Sequence, residues 1–120
     1  MTPTESLQAV CDAWNRLDND ALAELFAEDG VFEDPLHERI LRGREDIREV
    51  NGPAMGALSQ CEVTLGNVLA RGDVGLAEGM FRSALADGGG RMDFPFAIAI
   101  ELQDGRIARL TEYFDTAPLV

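Results

Sequence analysis

The sequence predicts an α+β domain in which a curved antiparallel sheet forms a cone around N-terminal helices. In the first third of the chain, apolar residues recur at helical spacing. From residue 62 onward, four long strand-like runs are separated by short turns rich in glycine and aspartate, which are typical of β-hairpins. A chain with helices first and a hairpin-connected sheet afterwards favours an α+β fold with helices on one face of the sheet.

The composition indicates one acidic domain. The 120 residues suffice for one hydrophobic core and not for two, so we expect a single domain over residues 1–120. The net charge of −12 argues against nucleic acid as a partner, because phosphate binding requires a basic surface. No signal peptide or long apolar run is recognised, so we expect a cytoplasmic protein without membrane contact. Cys11 and Cys61 match no metal spacing, and no cofactor is expected.

The first two helices are predicted to pack as a hairpin. Thr2-Pro3-Thr4-Glu5 is a capping-box pattern with proline at the first helical position, so a helix should begin at residue 3. Its apolar stripe consists of Leu7, Val10, Cys11, Trp14 and Leu17. A second helix should begin at Asp18 or Asn19 and end at Asp29-Gly30. Its buried face consists of Leu22, Leu25 and Phe26.

A third helix should follow Gly43. Ile47 and Val50 are expected to point towards the core from this helix. Gly52-Pro53 should stop or kink it, because proline removes a helical hydrogen bond and clashes with the preceding turn.

The second half of the chain should form an antiparallel meander. Its strands are predicted over residues 62–70, 74–85, 91–102 and 106–115. Strand alternation places Phe94, Phe96, Ile98 and Ile100 on one apolar face of the third strand. By the same alternation, Leu110, Glu112 and Phe114 share a face of the last strand.

A carboxylate lies at the exit of a short strand predicted over residues 31–34. Pro35 cannot donate a sheet hydrogen bond and biases Asp34 towards an extended conformation, so the Asp34 side chain should be held at the strand end. Such a position suits an acid or a base. The alternative is that Asp34 only forms the turn, as aspartate before proline often does.

Several segments carry a resemblance that covers nearly the whole chain. They are Ala13-Trp14-Asn15, Asp18, the run over residues 21–29, Val31-Phe32-Glu33-Asp34-Pro35, Gly43-Arg44-Glu45-Asp46-Ile47 and Glu112-Tyr113-Phe114-Asp115. In this order they resemble the nuclear transport factor 2-like superfamily, and within it the SnoaL-like polyketide cyclases and ketosteroid isomerases. The resemblance implies a cystatin-like, or α+β-barrel, fold. It is less specific for activity, because this fold hosts isomerases, cyclases, epoxide hydrolases, dehydratases and proteins without chemistry.

The resemblance implies a catalytic role for Asp34, whereas other catalytic residues of the family have no counterpart in this sequence. Asp34 matches the aspartate that is the general base of the isomerases. Their oxyanion tyrosine and protonated aspartate fall at Val10 and Ile98, so classical ketosteroid isomerisation is not expected. The Asp-Arg-Asp set of the epoxide-hydrolase branch cannot be placed on this sequence either.

In the family that this chain resembles, the face of the last strand that carries Glu112 points into the cavity. The resemblance therefore implies that Glu112 and Asp34 share one cavity. Two carboxylates in an apolar cavity do not both stay ionised without cost, so one pKa should rise and provide an acid beside a base. His37, the single histidine, could cover the pocket or shuttle a proton. The expected substrate-binding residues are Val10, Trp14, Phe32, Leu36, Phe94, Phe96, Ile98, Ile100 and Phe114. The predicted reaction is cofactor-free proton transfer on an apolar carbonyl-type substrate, as in an isomerase or a polyketide cyclase-like lyase.

Other interpretations remain open for the same residues. Glu112 could be an exposed strand residue paired with Arg109 or Arg91, and His37 could have neither role. Trp14 and Phe26 also fit core positions, as does Cys11. The cavity could bind an apolar ligand without catalysis, or it could be incidental in a dimerisation module. A homodimer is expected, with Tyr113 on the outer sheet face as a candidate interface residue.

Overall fold

Two helices precede a six-stranded sheet in the computed structural model, which describes residues 1–115. The helices are α1 (Pro3–Asn15), α2 (Asn19–Glu24), α3 (Gly43–Asp46) and α4 (Gly52–Gly56), with a π-helical segment (Ile47–Asn51) between α3 and α4. The strands are β1 (Phe26–Asp34), β2 (Arg39–Arg42), β3 (Leu58–Arg71), β4 (Val74–Leu85), β5 (Phe94–Gln103) and β6 (Arg106–Phe114). A 3-10 turn (Pro35–His37) joins β1 to β2. None of the helices within residues 1–115 is long and apolar enough to cross a membrane.

The sheet has the strand order β2-β1-β6-β5-β4-β3. All neighbouring pairs are antiparallel except β1 and β6, which run parallel. The α+β fold class is confirmed, whereas the prediction of a wholly antiparallel sheet missed this parallel pair. Its two strands lie at opposite ends of the sequence, so no tight hairpin dictates their relative direction. The edge strands β2 and β3 do not pair with each other, so the curved sheet stays open.

Helix α1 begins where its capping residues predict. The Thr2 backbone N–H donates to Glu5 Oε1 over 2.9 Å, and the Glu5 N–H donates to Thr2 Oγ1 over 3.2 Å. The helix packs against β3, β4 and β5. Its stripe residues Leu7, Val10 and Cys11 are buried against the sheet. This packing makes α1 one wall of the space above the sheet.

The second helix is shorter than predicted. It ends at Glu24, and Phe26, expected within it, is the first residue of β1. Phe26 is fully buried as expected, but it pairs with Ile107 of β6. The Ile107 N–H also donates to the Leu25 carbonyl over 2.9 Å. Pairing with a strand some eighty positions later therefore overrides the local helical pattern.

The third helix does not stop at Gly52-Pro53. It continues through α4 after a wider π-helical turn immediately before the proline. This change of period corrects one prediction: Ile47 is fully buried, but Val50 is 43% exposed. Met55 of α4 is buried in the core. The π-helical turn also turns Asn51 inward, where it is buried.

Three strands begin at other residues than predicted, and the first of them, β1, begins at Phe26 instead of residue 31. β3 begins at Leu58 instead of residue 62, and β5 begins at Phe94 because Arg91 contributes only an isolated bridge to Ala84. β2 was not predicted, since four residues are too few to show an alternating pattern. It pairs with β1 and places Arg39 directly opposite Asp34.

Candidate functional site

A cavity of about 180 Å³ lies between the concave face of the sheet, α1 and the segment from Asn51 to Ala54. Seven of the nine expected substrate-binding residues line it: Val10, Trp14, Phe32, Phe94, Phe96, Ile98 and Phe114. The other two do not. Leu36 is 61% exposed on the 3-10 turn, because a three-residue turn after Pro35 points it to solvent. Ile100 has the orientation expected from alternation but lies deeper, in the closed core.

The sequence did not identify the remaining wall residues as site residues. The apolar ones are Cys11, Ala54, Leu58, Val63, Phe81, Met92 and Leu110, and the polar ones are Arg39 and Asn51. Strand alternation could have found Val63 and Phe81, which pair across β3 and β4. Arg39 and Asn51 had no usable signal, because β2 and the π-helical turn were not predicted.

Stacked aromatic rings form one wall of the cavity. The ring centroids of Phe81 and Phe94 are 4.7 Å apart, and those of Phe94 and Phe114 are 4.8 Å apart. Trp14 meets Phe81 edge to face at 5.6 Å. The imidazole of His37 lies 4.8 Å from the Phe114 ring. Such packed rings resist rearrangement, so the cavity presents a firm apolar surface to a ligand.

Asp34 ends β1 and is almost fully buried, with 3% of its surface exposed. The 3-10 turn brings His37 back over it, so that His37 Nδ1 lies 2.8 Å and 2.9 Å from the two carboxylate oxygens. Asp34 does not line the main cavity. It lines a small recess of about 10 Å³ whose wall also contains Glu112, Arg39 and Asn51. Asp34 is therefore next to the main cavity and reaches it through this recess.

Glu112 lines both the main cavity and the recess. Burial raises the pKa of its carboxyl to about 8, the negative charge of Asp34 adds to the rise, and the positive charge of Arg39 opposes it. Part of the Glu112 surface remains accessible, because the cavity itself opens to solvent. The alternative ion pairs do not form: Arg109 contacts Glu33, and Arg91 contacts Asp93.

Two further polar side chains complete this end of the cavity. Asn51 donates from Nδ2 to Asn19 Oδ1 over 2.8 Å, and Asn19 in turn donates to the carbonyls of Ile47 and Arg48. Arg39 is exposed, and its side chain makes no hydrogen bond or ion pair with any residue of the described chain, 1–115, although its backbone pairs with that of Asp34. The polar end therefore combines two carboxyls, one guanidinium and one amide.

The described part of the chain shows no group of three or more His, Cys, Asp or Glu side chains arranged as metal ligands could be. Asp34, Glu112 and His37 at the polar end are therefore not arranged as a set of metal ligands.

A comparison with protein-family models decides the family. Residues 7–110 match the model of the SnoaL-like domain. The chain belongs to the SnoaL-like domain family. No curated protein is similar enough in sequence to count as a match. The family and the cavity together indicate a role towards a small molecule, either catalytic or binding.

Solved structures show the same fold. A protein from Catenulispora acidiphila with a ketosteroid isomerase-like fold, in complex with trimethylamine, is 23% identical with a TM-score of 0.83, over 96% of this chain and 88% of that one. An LEH-like epoxide hydrolase from M. tuberculosis is 24% identical with a TM-score of 0.78, over 93% and 81%. A putative polyketide cyclase from Xanthomonas campestris is 22% identical with a TM-score of 0.82, over 98% and 93%. These likenesses establish the architecture of this SnoaL-like protein.

Proposed function

We propose that this SnoaL-like protein is a small-molecule enzyme that transfers a proton to and from an apolar carbonyl-type substrate without a cofactor. The observation that carries the proposal is that Asp34 and Glu112 share one recess at the polar end of an otherwise apolar cavity. Activity as an isomerase or as a cyclase-like lyase would both use this step, since both begin by removing a proton next to a carbonyl.

The two carboxyls suit opposite halves of the reaction. Asp34 is the proposed general base, and its hydrogen bond from His37 Nδ1–H would fix the direction of its oxygens. Glu112, with its pKa raised to about 8, keeps its proton near neutral pH and would donate it to the substrate oxygen or to a second carbon. The base removes one proton and the acid supplies one, and passage of a proton from Asp34 back to Glu112, across the shared recess or through solvent, would restore both groups, so no metal or organic cofactor is needed in this scheme.

Non-catalytic binding is the second candidate, and one observation favours it. Asp34 is 3% exposed, and both its oxygens are within hydrogen-bonding distance of His37. Access to a ligand would depend on the narrow recess of about 10 Å³. In this candidate, Glu112 orients a ligand hydroxyl or carbonyl and Asp34 serves only to raise the pKa of Glu112.

Exchange of the hydrogens next to a ketone in deuterated water distinguishes the two candidates. The probe is β-tetralone, a bicyclic apolar ketone with acidic hydrogens, and the readout is loss of its proton NMR signal. The wild-type protein should accelerate the exchange, and Asp34→Asn should reduce the acceleration by about 100-fold or more, which is the usual contribution of a general base.

The matched control is Asp104→Asn. Asp104 lies in the turn between β5 and β6 with a positive φ of 53°, a conformation that asparagine adopts readily. This variant should exchange β-tetralone as fast as the wild type. Exchange that is unaffected by Asp34→Asn would contradict the assignment of the base and leave the binding role as the better account.

We also propose a homodimer through the outer face of the sheet. Large apolar side chains are exposed there, with Leu69 at 71%, Leu76 at 49% and Tyr113 at 46%. They line one groove across β3, β4 and β6. A second copy of the chain would remove this apolar surface from water. For location, the two free cysteines fit the reducing cytoplasm.

A further inference from the structure

We propose that Arg39 and Asn51 bind an anionic oxygen of the ligand, so that the substrate class is apolar molecules that carry a carboxylate or an enolate oxygen at one end. This inference rests on the proposed function for the enolate and deepens it. It concerns binding, however, and can be tested without turnover.

The first argument is the position of the Arg39 charge. Arg39 lies at the wall of both the main cavity and the recess, directly opposite Asp34 on the paired strand. It nevertheless forms no ion pair with Asp34, with Glu112 or with any other carboxylate within residues 1–115. By contrast, Arg48 has three carboxylate partners. A guanidinium at a cavity wall with its donors unengaged is suited to a carboxylate or enolate oxygen.

The second argument is the fixed orientation of the Asn51 amide. In the wide π-helical turn, the carbonyls of Ile47 and Arg48 accept hydrogen bonds from Asn19 Nδ2. Because the Asn19 amide nitrogen is used there, its oxygen Oδ1 faces Asn51. Asn51 therefore presents its Nδ2 to Asn19 and uses one N–H there. Its second N–H remains as a donor in a side chain that lines the cavity and the recess.

The nearby carboxyls of Asp34 and Glu112 do not prevent an anionic ligand oxygen from binding. Asp34 is buried beneath His37, which hydrogen-bonds its carboxylate. Glu112 holds its proton up to a pKa of about 8, so near neutral pH it acts as a further donor to the ligand oxygen. The rest of the wall is apolar and would take the body of the molecule. Together these residues supply the oxygen-binding donors that the sequence lacks at Val10 and Ile98.

The test compares two probes that differ only at one end, phenylbutyrate and phenylbutanol. Trp14, the single tryptophan, lines the cavity, so its fluorescence reports the binding of either probe. Wild-type protein should prefer phenylbutyrate near neutral pH. Arg39→Gln should weaken phenylbutyrate binding by about 10-fold to 100-fold, as expected for a hydrogen bond between charged groups, and change phenylbutanol binding by about twofold at most.

Arg42→Gln is the matched control. It removes the same charge from the same strand, and both arginines are exposed, but Arg42 lines neither the cavity nor the recess. It should leave both affinities within about twofold. A second variant, Asn51→Ala, should reduce the preference for phenylbutyrate by about fivefold to tenfold, which corresponds to one neutral hydrogen bond.

Three results would overturn the proposal: no binding of either probe, equal affinity for both, or equal losses in Arg39→Gln and Arg42→Gln. The outcome is independent of proton transfer. A protein that prefers phenylbutyrate through Arg39 and does not exchange β-tetralone would retain this inference and lose the proposed reaction. If the protein exchanges β-tetralone but does not prefer phenylbutyrate, the proposed reaction is retained and this inference is lost.

Discussion

Replacing Glu112 with glutamine should remove a pH dependence from the stability of the protein. Burial and the charge of Asp34 raise the pKa of Glu112 from its usual 4.5 to about 8. Between these two values the folded protein keeps a proton that the unfolded chain releases. The stability that the protonated Glu112 contributes should therefore be fully present below pH 4.5 and be lost as pH rises towards about 8. Glutamine has a similar shape and no proton to lose, so it mimics the protonated form.

The size of this stability loss follows from the pH range between the two pKa values, 4.5 and about 8. Each pH unit inside it costs the wild type about 1.4 kcal/mol of unfolding free energy relative to Glu112→Gln. From about pH 5 to about pH 7 the relative loss should be about 3 kcal/mol. This is a substantial fraction of the 5–15 kcal/mol that is typical of natural domains.

The assay is urea unfolding followed by circular dichroism at both pH values, for the wild type and for Glu112→Gln. Glu101→Gln is the matched control, because Glu101 is exposed on β5, the neighbouring strand. The unfolding midpoint of Glu101→Gln should shift with pH as the wild type does, and that of Glu112→Gln should not. Parallel pH dependences for the wild type and Glu112→Gln would refute the reasoning that burial raises this pKa.

Two further predictions concern assembly and packing. Leu76→Glu, on the exposed outer sheet face, should convert the expected dimer into a monomer in analytical ultracentrifugation, because a charge would be buried in the interface; a wild-type monomer, or an unchanged dimer in the variant, would contradict the proposed interface. Gly79→Ala should destabilise the protein by about 1–3 kcal/mol in urea unfolding, because the new methyl group would meet the Thr64 carbonyl and the Phe96 ring. Gly66→Ala, whose nearest neighbour would be an ordinary 3.5 Å away, should cost less, and equal effects of the two substitutions would count against the close packing at Gly79.

Local chemistry predicted much of the fold. The capping box at Thr2 set the start of α1, and the glycine- and aspartate-containing turns set both ends of β4. The wrong predictions for Phe26 and β2 have a common physical cause, which is strand pairing that the local sequence pattern does not show. Phe26 lies in a helical pattern, yet its partner Ile107 draws it into a strand. β2 is too short to show a pattern and exists because β1 offers it a partner.

The site was only partly predictable for the same reason. Alternation along β5 placed Phe94 and Ile98 on one face, since that rule depends only on the strand period, and the family resemblance indicated that Glu112 faces inward from β6; all three line the cavity. Arg39 and Asn51 could not be found this way. One lies on the unpredicted strand, and the other faces the cavity only because the helix widens to a π turn before Pro53.

The most direct test of the central claim is a carbon NMR titration of the Glu112 carboxyl in the wild type and in Asp34→Asn. If the two carboxyls share one recess, Glu112 should titrate at about 8 in the wild type. In Asp34→Asn its pKa should fall, because the charge of Asp34 is gone, and should stay above the usual 4.5, because burial remains the larger cause. A Glu112 that titrates at its usual value, or whose pKa does not respond to Asp34→Asn, would contradict the coupled acid-base pair.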